Sequence, residues 1–286
     1  VAEPSRLLLL GASGRVGRMV THHWRRAPPN GAVITAQHRD PDRADGLFWP
    51  LLDPSAKGPQ PGAFDATICL AGVTPGPGAD LSLNTGLAEA ALTAAHRAGI
   101  GRVLVASSSA VYGAGDGTPF SETARTDPVN AYGAAKLDME RACAPWRDKG
   151  VEVCCLRIGN VAGADALLLN VARSAPDQPL VIDRFADGRG PVRSYIGARS
   201  MADVLLTLAT TPRDLPEVLN VAAPGHVWME DLARAAGHPF DFRDAPPTAY
   251  QSITLACARL AALHDFAPDA ADPAALVTQW KETLPR

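Results

Sequence analysis

Three side chains stand out by type and spacing. In the stretch NAYGAAKLDME (130–140), Tyr132 and Lys136 lie four residues apart, so one helical turn stacks a phenol and an ammonium on the same face. A free tyrosine titrates near pH ~10, too high for a good base at neutrality. A cation one turn along the helix stabilises the phenolate and lowers that value, which makes the pair a candidate proton donor and acceptor. A hydroxyl at a neighbouring strand end would hold the reacting oxygen. VASSSAVYG (105–113) supplies Ser107, Ser108 and Ser109 at the C-terminal edge of an apolar run, the edge where open α/β sheets bind ligands.

A second constellation concerns phosphate. GASGRVG places Gly11, Gly14 and Gly17 between an apolar strand and a helix. Three glycines alone carry little weight, but this context gives them a reason. The turn is too tight for side chains, the backbone must approach a pyrophosphate closely, and the new helix offers N–H groups at its positive end. Dinucleotide binding is therefore expected across residues 11–17, at Gly11, Ser13, Gly14, Arg15, Val16 and Gly17. The second strand ends AQHRDPDR, with Gln37, His38 and Arg39 ahead of any acid. An arginine there pairs with a 2′-phosphate, which leans the cofactor toward NADP. If Arg39 is instead a loop charge and Asp40 serves the ribose, the cofactor is NAD.

These residues need a frame. Short apolar runs RLLLLGA (6–12), AVITAQ (32–37), ATICLAG (66–72), RVLVASS (102–108) and VEVCCLRI (151–158) alternate with helix-like stretches. The clearest of these is NTGLAEAALTAAHRAGI (84–100), closed by Gly99. Strand and helix in alternation imply an α/β fold, a Rossmann-type doubly wound parallel sheet. The NAD(P)-binding domain is expected over 1–160. Beyond it proline and glycine punctuation increases, with helix-like pieces at 198–210, 229–236 and 272–283, which reads as a smaller C-terminal substrate-binding region over 161–286. The apolar run EVLNVAA (217–223) has the character of a strand returning to the main sheet, which would interleave the two regions.

Composition narrows the partners. Net charge is −3, with 27 basic and 30 acidic residues well mixed, so no basic stripe points to nucleic acid or anionic membrane. The apolar start RLLLLGASG is far shorter than the ~20 residues of a membrane span. The five cysteines show no CxxC spacing and the seven histidines no HExxH or Cys/His cluster, so neither a disulfide framework nor a metal site is expected. A cytoplasmic protein acting on a small molecule is the expectation.

Taken together, GASGRVG, VASSSAVYG and AYGAAK resemble the extended short-chain dehydrogenase/reductases, the NAD(P)-dependent nucleotide-sugar epimerase and dehydratase family. The likeness continues in LRIGNVAG (156–163), PLVIDRFADGRGPVRSYI (179–196), EVLNVAAPG (217–225) and ARLAALHDFAPD (258–269). The resemblance implies that Tyr132 and Lys136 are the family's YxxxK pair and that Ser108 is its active-site hydroxyl, touching both catalysis and substrate. It puts Ser107, Ala71 and Gly72 beside the cofactor. Asn84 matches a family asparagine, with a helix N-cap as the other reading. Asn160 and Arg193 match positions that contact the phosphates of a nucleotide sugar, a task that suits a forked guanidinium. The family often forms dimers through two helices of the nucleotide domain, which makes a homodimer an expectation.

The chain departs from the pattern at three places. Ser109 and Ala110 stand where dehydratases carry an Asp-Glu pair, which disfavours dehydration. Pro50 stands where an adenine-side aspartate is expected, leaving Asp53 as the nearby acid. SYIGARSMAD lacks the usual His-Val-Asp-Asp run, which sets the substrate apart from that of many sugar-nucleotide enzymes. Reversible hydride transfer at a sugar or nucleotide-sugar carbon is the expected chemistry, in an epimerase or in an NADPH-dependent carbonyl or keto-sugar reductase. The alternative of another class is a protein that senses dinucleotide without turnover.

Overall fold

The computed structural model describes residues 3–284 of the chain. They divide into two compact units. The first takes in the chain through Gly113, Thr126–Arg157 and Ala202–Leu219; the second takes in Ala114–Arg125, Ile158–Met201 and the chain from Asn220.

The first unit is organised by its sheet. Strands β1 (Ser5–Leu10), β2 (Ala32–His38), β3 (Leu47–Phe48), β4 (Ala66–Cys69), β5 (Arg102–Ser108), β6 (Glu152–Ile158) and β11 (Val218–Val221) align in the order β11-β6-β5-β4-β1-β2-β3. This is the parallel, Rossmann-type α/β sheet expected from the alternating apolar runs. β1 pairs in parallel with both β2 and β4, and Leu7, Leu8, Leu9 and Leu10 are all buried. A strand covered on both faces has no polar side to show, which is why the sequence reads LLLL rather than alternating. The register pairs Leu10 with Cys69, so the turn after β1 and the loop after β4 leave the sheet side by side.

Helices α1 (Arg15–Arg26), α2 (Leu83–Ala98) and α3 (Ala131–Cys143) cover this sheet. On α2 the buried positions are Ala88, Ala91, Leu92, Ala95 and Ala98, a stripe at helical period. Gly99 ends it at φ 71°, the left-handed conformation that glycine adopts without steric cost. Ala88, Leu92, Ala95 and Ala98 pack with Ile100, Val103, Val105, Met139, Cys143, Val153 and Cys155 into one core cluster, and Ala91 packs into a second with Leu8, Leu10, Trp49 and Cys69. All five cysteines are free and buried.

The second unit carries the short elements β7 (Asn160–Val161), α4 (Ala166–Arg173), β8 (Leu180–Arg184), β9 (Val192–Arg193), β10 (Tyr195–Ile196), β12 (Val227–Trp228), α6 (Met229–Ala236), β13 (Phe240–Asp244), β14 (Ser252–Ile253), α7 (Ala258–Ala261) and α8 (Pro273–Glu282). Helix α5 (Ala198–Thr210) lies between β10 and β11 in the chain. β7 pairs with β10, β8 with β13, and β9 lies between β12 and β14. Asp165 and Asp272 cap α4 and α8 by accepting two backbone N–H bonds each. Among the described residues, no helix is long and apolar enough to cross a membrane, and no group of three or more His, Cys, Asp or Glu side chains is placed to hold a metal ion.

Candidate active site

The glycine turn is shaped by three separate constraints. Gly11 has φ +81°, and a Cβ there would overlap the backbone of Leu70 and Ala71. Gly14 donates its N–H to the Gly11 carbonyl at 3.0 Å and leads α1 without a side-chain cap. A Cβ on Gly17 would overlap the Gly11 carbonyl oxygen and Ala12. The turn thus brings bare backbone and a helix N-terminus to the edge of a cavity of about 670 Å³, lined also by Ser13, Ala71, Gly72 and Thr74. An uncapped helix start of this kind is suited to an anionic group.

The far wall of the cavity comes from the end of β2 and the chain after β3. Gln37 and Arg39 line it, with Pro50 and Asp53 opposite in the sequence order. Successive strand residues face opposite ways, and His38 is turned away from the cavity. Its ring is buried against Phe48 at 6.1 Å and its Nδ1 meets the Asp40 carbonyl at 2.9 Å. Gln37 lines the cavity beside Arg39: its Oε1 accepts from Gly11 N–H at 3.5 Å and its Nε2 donates to the Trp49 carbonyl at 2.5 Å. The Asp53 carboxylate accepts from Ser55 Oγ and N, which hold it below the usual aspartate range.

The loop after β4 is pinned from α2. Asn84 accepts from Val73 N–H at 3.1 Å and donates to the carbonyls of Val73 and Leu81. Ser82 is the N-cap residue, so Asn84 fastens the loop rather than starting the helix. Arg15 donates to Thr74 Oγ1 at 2.9 Å, joining the glycine turn to the same loop.

Tyr132 and Lys136 both lie on α3, and Ser108 ends β5. Asn130 caps α3 by accepting from Gly133 N–H at 2.8 Å, which sets the helix start just before Tyr132. A Cβ on Gly133 would overlap the Ala110 carbonyl, so α3 lies directly on the turn that follows Ser108. The Tyr132 phenol is hydrogen-bonded to Ser108. Burial pushes the phenol up, while Ser108 and the charge of Arg15 pull it down. The cation whose charge bears on this phenol is Arg15, which the glycine turn had placed at the cofactor phosphates. Lys136 is buried, and Nζ donates to the Ala106 carbonyl at 2.8 Å. Burial pushes this ammonium below the ordinary lysine value.

Ser107, on the opposite side of β5 from Ser108, gives its hydroxyl proton to Glu140 at 2.5 Å in the buried core. Glu140 also takes a forked pair of bonds from Arg157, and Arg157 reaches Tyr112 Oη at 3.0 Å. Sequence reading missed this set because each member reads singly as an ordinary helix, strand or turn residue.

Asn160 and Arg193 belong to the second unit. Asn160 hydrogen-bonds the buried Tyr195. Arg193 donates to the carbonyls of Val192, Gln251 and Tyr250 at 2.8, 2.5 and 3.0 Å, and burial pushes its guanidinium below the usual arginine value. Three of its five N–H groups are used in this way, which leaves Nε and one Nη2 proton for another acceptor.

The model of the NAD dependent epimerase/dehydratase family matches residues 7–222, from β1 to the end of β11. The chain belongs to that family. A UDP-glucose 4-epimerase of Azospirillum brasilense is 44% identical over 86 residues, 29% of this chain and 24% of the relative. One of Corynebacterium glutamicum is 37% identical over 186 residues, 57% of this chain and 56% of the relative. The chain thus spans about a quarter and just over half the length of these two epimerases. A 2′-dehydrokanamycin reductase of Streptomyces kanamyceticus is 26% identical over 249 residues, 82% of this chain and 68% of the relative. Among solved structures, a UDP-galactose 4-epimerase superposes with a TM-score of 0.74 at 21% identity over 97% of this chain and 98% of that one, a likeness of fold. A UDP-glucuronic acid 4-epimerase from Bacillus cereus, solved with UDP-glucuronic acid and NAD, gives 0.74 at 15% identity over 97% and 98%.

Proposed function

We propose that the chain is an NAD(P)-dependent enzyme that carries out reversible hydride transfer at a hydroxyl or keto carbon of a sugar or nucleotide sugar. The observation that carries this reading is the half-buried Tyr132 phenol, hydrogen-bonded to Ser108 one helical turn from Lys136. Binding alone needs the glycine turn and has no use for a poised phenol. The cavity beside that turn fits a dinucleotide in volume, in its bare backbone and in its cation at Arg39.

When bound, a nicotinamide dinucleotide supplies the hydride acceptor and donor. Gly11, Ser13, Gly14, Arg15, Val16 and Gly17 would hold its phosphates, Ala71 and Gly72 its ribose side, and Lys136 the ribose next to the reacting carbon. Ser108 hydrogen-bonds the substrate oxygen and fixes its direction. Tyr132 takes the hydroxyl proton in the oxidative direction and returns it to the carbonyl oxygen in the reductive one. Ser109 and Ala110 provide no acid or base for loss of water, which separates the reaction from dehydration. In the second unit, the two open donors of Arg193 and the amide of Asn160 would meet the substrate's phosphates.

A second reading, an NADPH-dependent keto-sugar or carbonyl reductase, is favoured by Gln37 and Arg39. The β2 end presents a neutral amide and a cation where an acid would accept from the ribose hydroxyls. The reductase relative, which spans more of this chain than the two epimerases, supports the same reading. The cofactor that copurifies decides between the two. Retained oxidised NAD supports epimerisation; readily exchanged NADPH, bound more tightly than NADH, supports reduction. Absence of hydride exchange with a broad panel of sugars and carbonyls, despite tight cofactor binding, overturns both.

A further inference from the structure

The buried chain of Ser107, Glu140, Arg157 and Tyr112 has no part in the chemistry above, yet it adjoins Ser108 along β5 and Lys136 along α3. Glu140 lies one helical turn beyond Lys136 on α3, on the same face. Its Oε1 accepts from Ser107 at 2.5 Å and its Oε2 from Arg157 Nη2 at 2.8 Å. Ser107 precedes Ser108, Ala106 accepts from Lys136, and Arg157 also lies over the Tyr112 ring at 4.8 Å. One carboxylate therefore ties the end of β5 to α3, the two elements that carry Ser108, Tyr132 and Lys136.

The same carboxylate has an electrostatic consequence. Lys136 is 4% exposed, and its neighbours come from several elements: Cys69 on β4, the Ala106 carbonyl on β5, Cys155 on β6, Met139, Glu140 and Cys143 on α3, with Gly72 and the Asn84 amide beside the loop after β4. The thiols give it little charge. Burial pushes Cys69 up to about 11, and a bond to Cys143 together with burial raises Cys155 well above the ordinary thiol value. Among these neighbours, Glu140 is the carboxylate. A buried ammonium with no anion nearby gives up its proton, because desolvation penalises the charged form.

We infer that Glu140 is a positioning residue that keeps Lys136 charged and holds the Ser108 strand end against α3, its own place fixed by Ser107 and Arg157. The inference rests on the assignment of Tyr132 and Lys136 as the proton-handling pair, but its test reads Lys136 itself and needs no substrate.

The chain has four lysines, at 57, 136, 149 and 281, so the Lys136 side-chain NMR signal is assigned by its loss in Lys136→Met and titrated with pH in the full chain. In Glu140→Gln the midpoint moves down by about one unit or more, a tenfold or greater loss of ammonium at a given alkaline pH. Glu140→Asp keeps the charge and stays closer to the parent. If Glu140→Gln does not fold, Arg157→Gln leaves the carboxylate and removes its competing cation, and the midpoint rises. A midpoint unchanged in the folded variant, with only thermal stability lost, overturns the inference and leaves Glu140 a structural anchor. Loss of hydride transfer in Tyr132→Phe is a separate result, so failure of the proposed activity and failure of this inference are told apart.

Discussion

Lys136 donates from Nζ to the Ala106 carbonyl at 2.8 Å, so the helix that bears Tyr132 is tied to the strand that ends at Ser108. The bond costs the fold something, because burial disfavours the ammonium and pushes Lys136 below the ordinary lysine value. Between that lowered value and the ordinary one, the unfolded chain binds more protons at this site than the folded chain does. The Lys136 contribution to stability therefore increases as pH rises through this window. Lys136→Met removes the titrating group and flattens that part of the profile. Its melting temperature near neutrality equals or exceeds that of the parent, while NADPH affinity falls by about tenfold or more, since hydrogen bonds to a charged group are worth ~1.5–3 kcal/mol. Thermal melts across alkaline pH and fluorescence titration with NADPH measure both. A lower melting temperature with intact cofactor affinity contradicts the prediction.

Tyr132 is raised by burial and lowered by Ser108 and Arg15, so its titration reports its two neighbours. Tyrosinate absorbance of the parent, minus that of Tyr132→Phe, isolates this phenol. Arg15→Gln and Ser108→Ala each move its midpoint upward. In the same series, Tyr132→Phe lowers the rate of hydride transfer by about a hundredfold or more, the usual scale for loss of a general acid and base. Its cofactor dissociation constant stays near the parent value. Turnover close to that of the parent would remove Tyr132 from the mechanism.

Arg39 lines the cavity at the end of β2, with no acid between it and Gln37. Arg39→Ala weakens NADPH by about tenfold or more, in line with one charge-assisted contact to a phosphate, and leaves NADH almost unchanged. Dissociation constants for the two reduced cofactors, measured in parent and variant, give the comparison. Equal weakening of both would make Arg39 a general surface charge.

The sheet was legible because a doubly covered strand must be apolar throughout, and RLLLLGA or VEVCCLRI shows it without ambiguity. Tyr132 and Lys136 stood out as candidates because a helical turn has a fixed spacing, whereas Ser108 was singled out from Ser107 and Ser109 only by the family resemblance. The strands of the second unit, such as β9 and β14 with two residues each, are too short to leave a period. Glu140 escaped notice for another reason. Its partners Ser107 and Arg157 lie 33 and 17 residues away along the chain, so nothing local marks it.

Gly72 offers a test of how tightly the loop after β4 is built. A Cβ there would stand 2.9 Å from Asn84 Oδ1 and 3.2 Å from Lys136 Nζ. Asn84 cannot yield freely, because it binds Val73 through both its amide N–H and its carbonyl. Lys136 cannot yield freely either, because it is held by Ala106 in the core. Gly72→Ala therefore costs about 1–3 kcal/mol of stability, as overpacking does, and weakens NADPH binding by displacing the ribose-side wall of the cavity. Gly76 sits in the same loop with nothing within 4 Å of the position its Cβ would take, and Gly76→Ala leaves both quantities at the parent value. Melting temperature and NADPH titration on the two variants separate a packing effect from a general loss of loop flexibility. Equal losses in both would mean that flexibility, and not the close approach at Gly72, governs the cofactor.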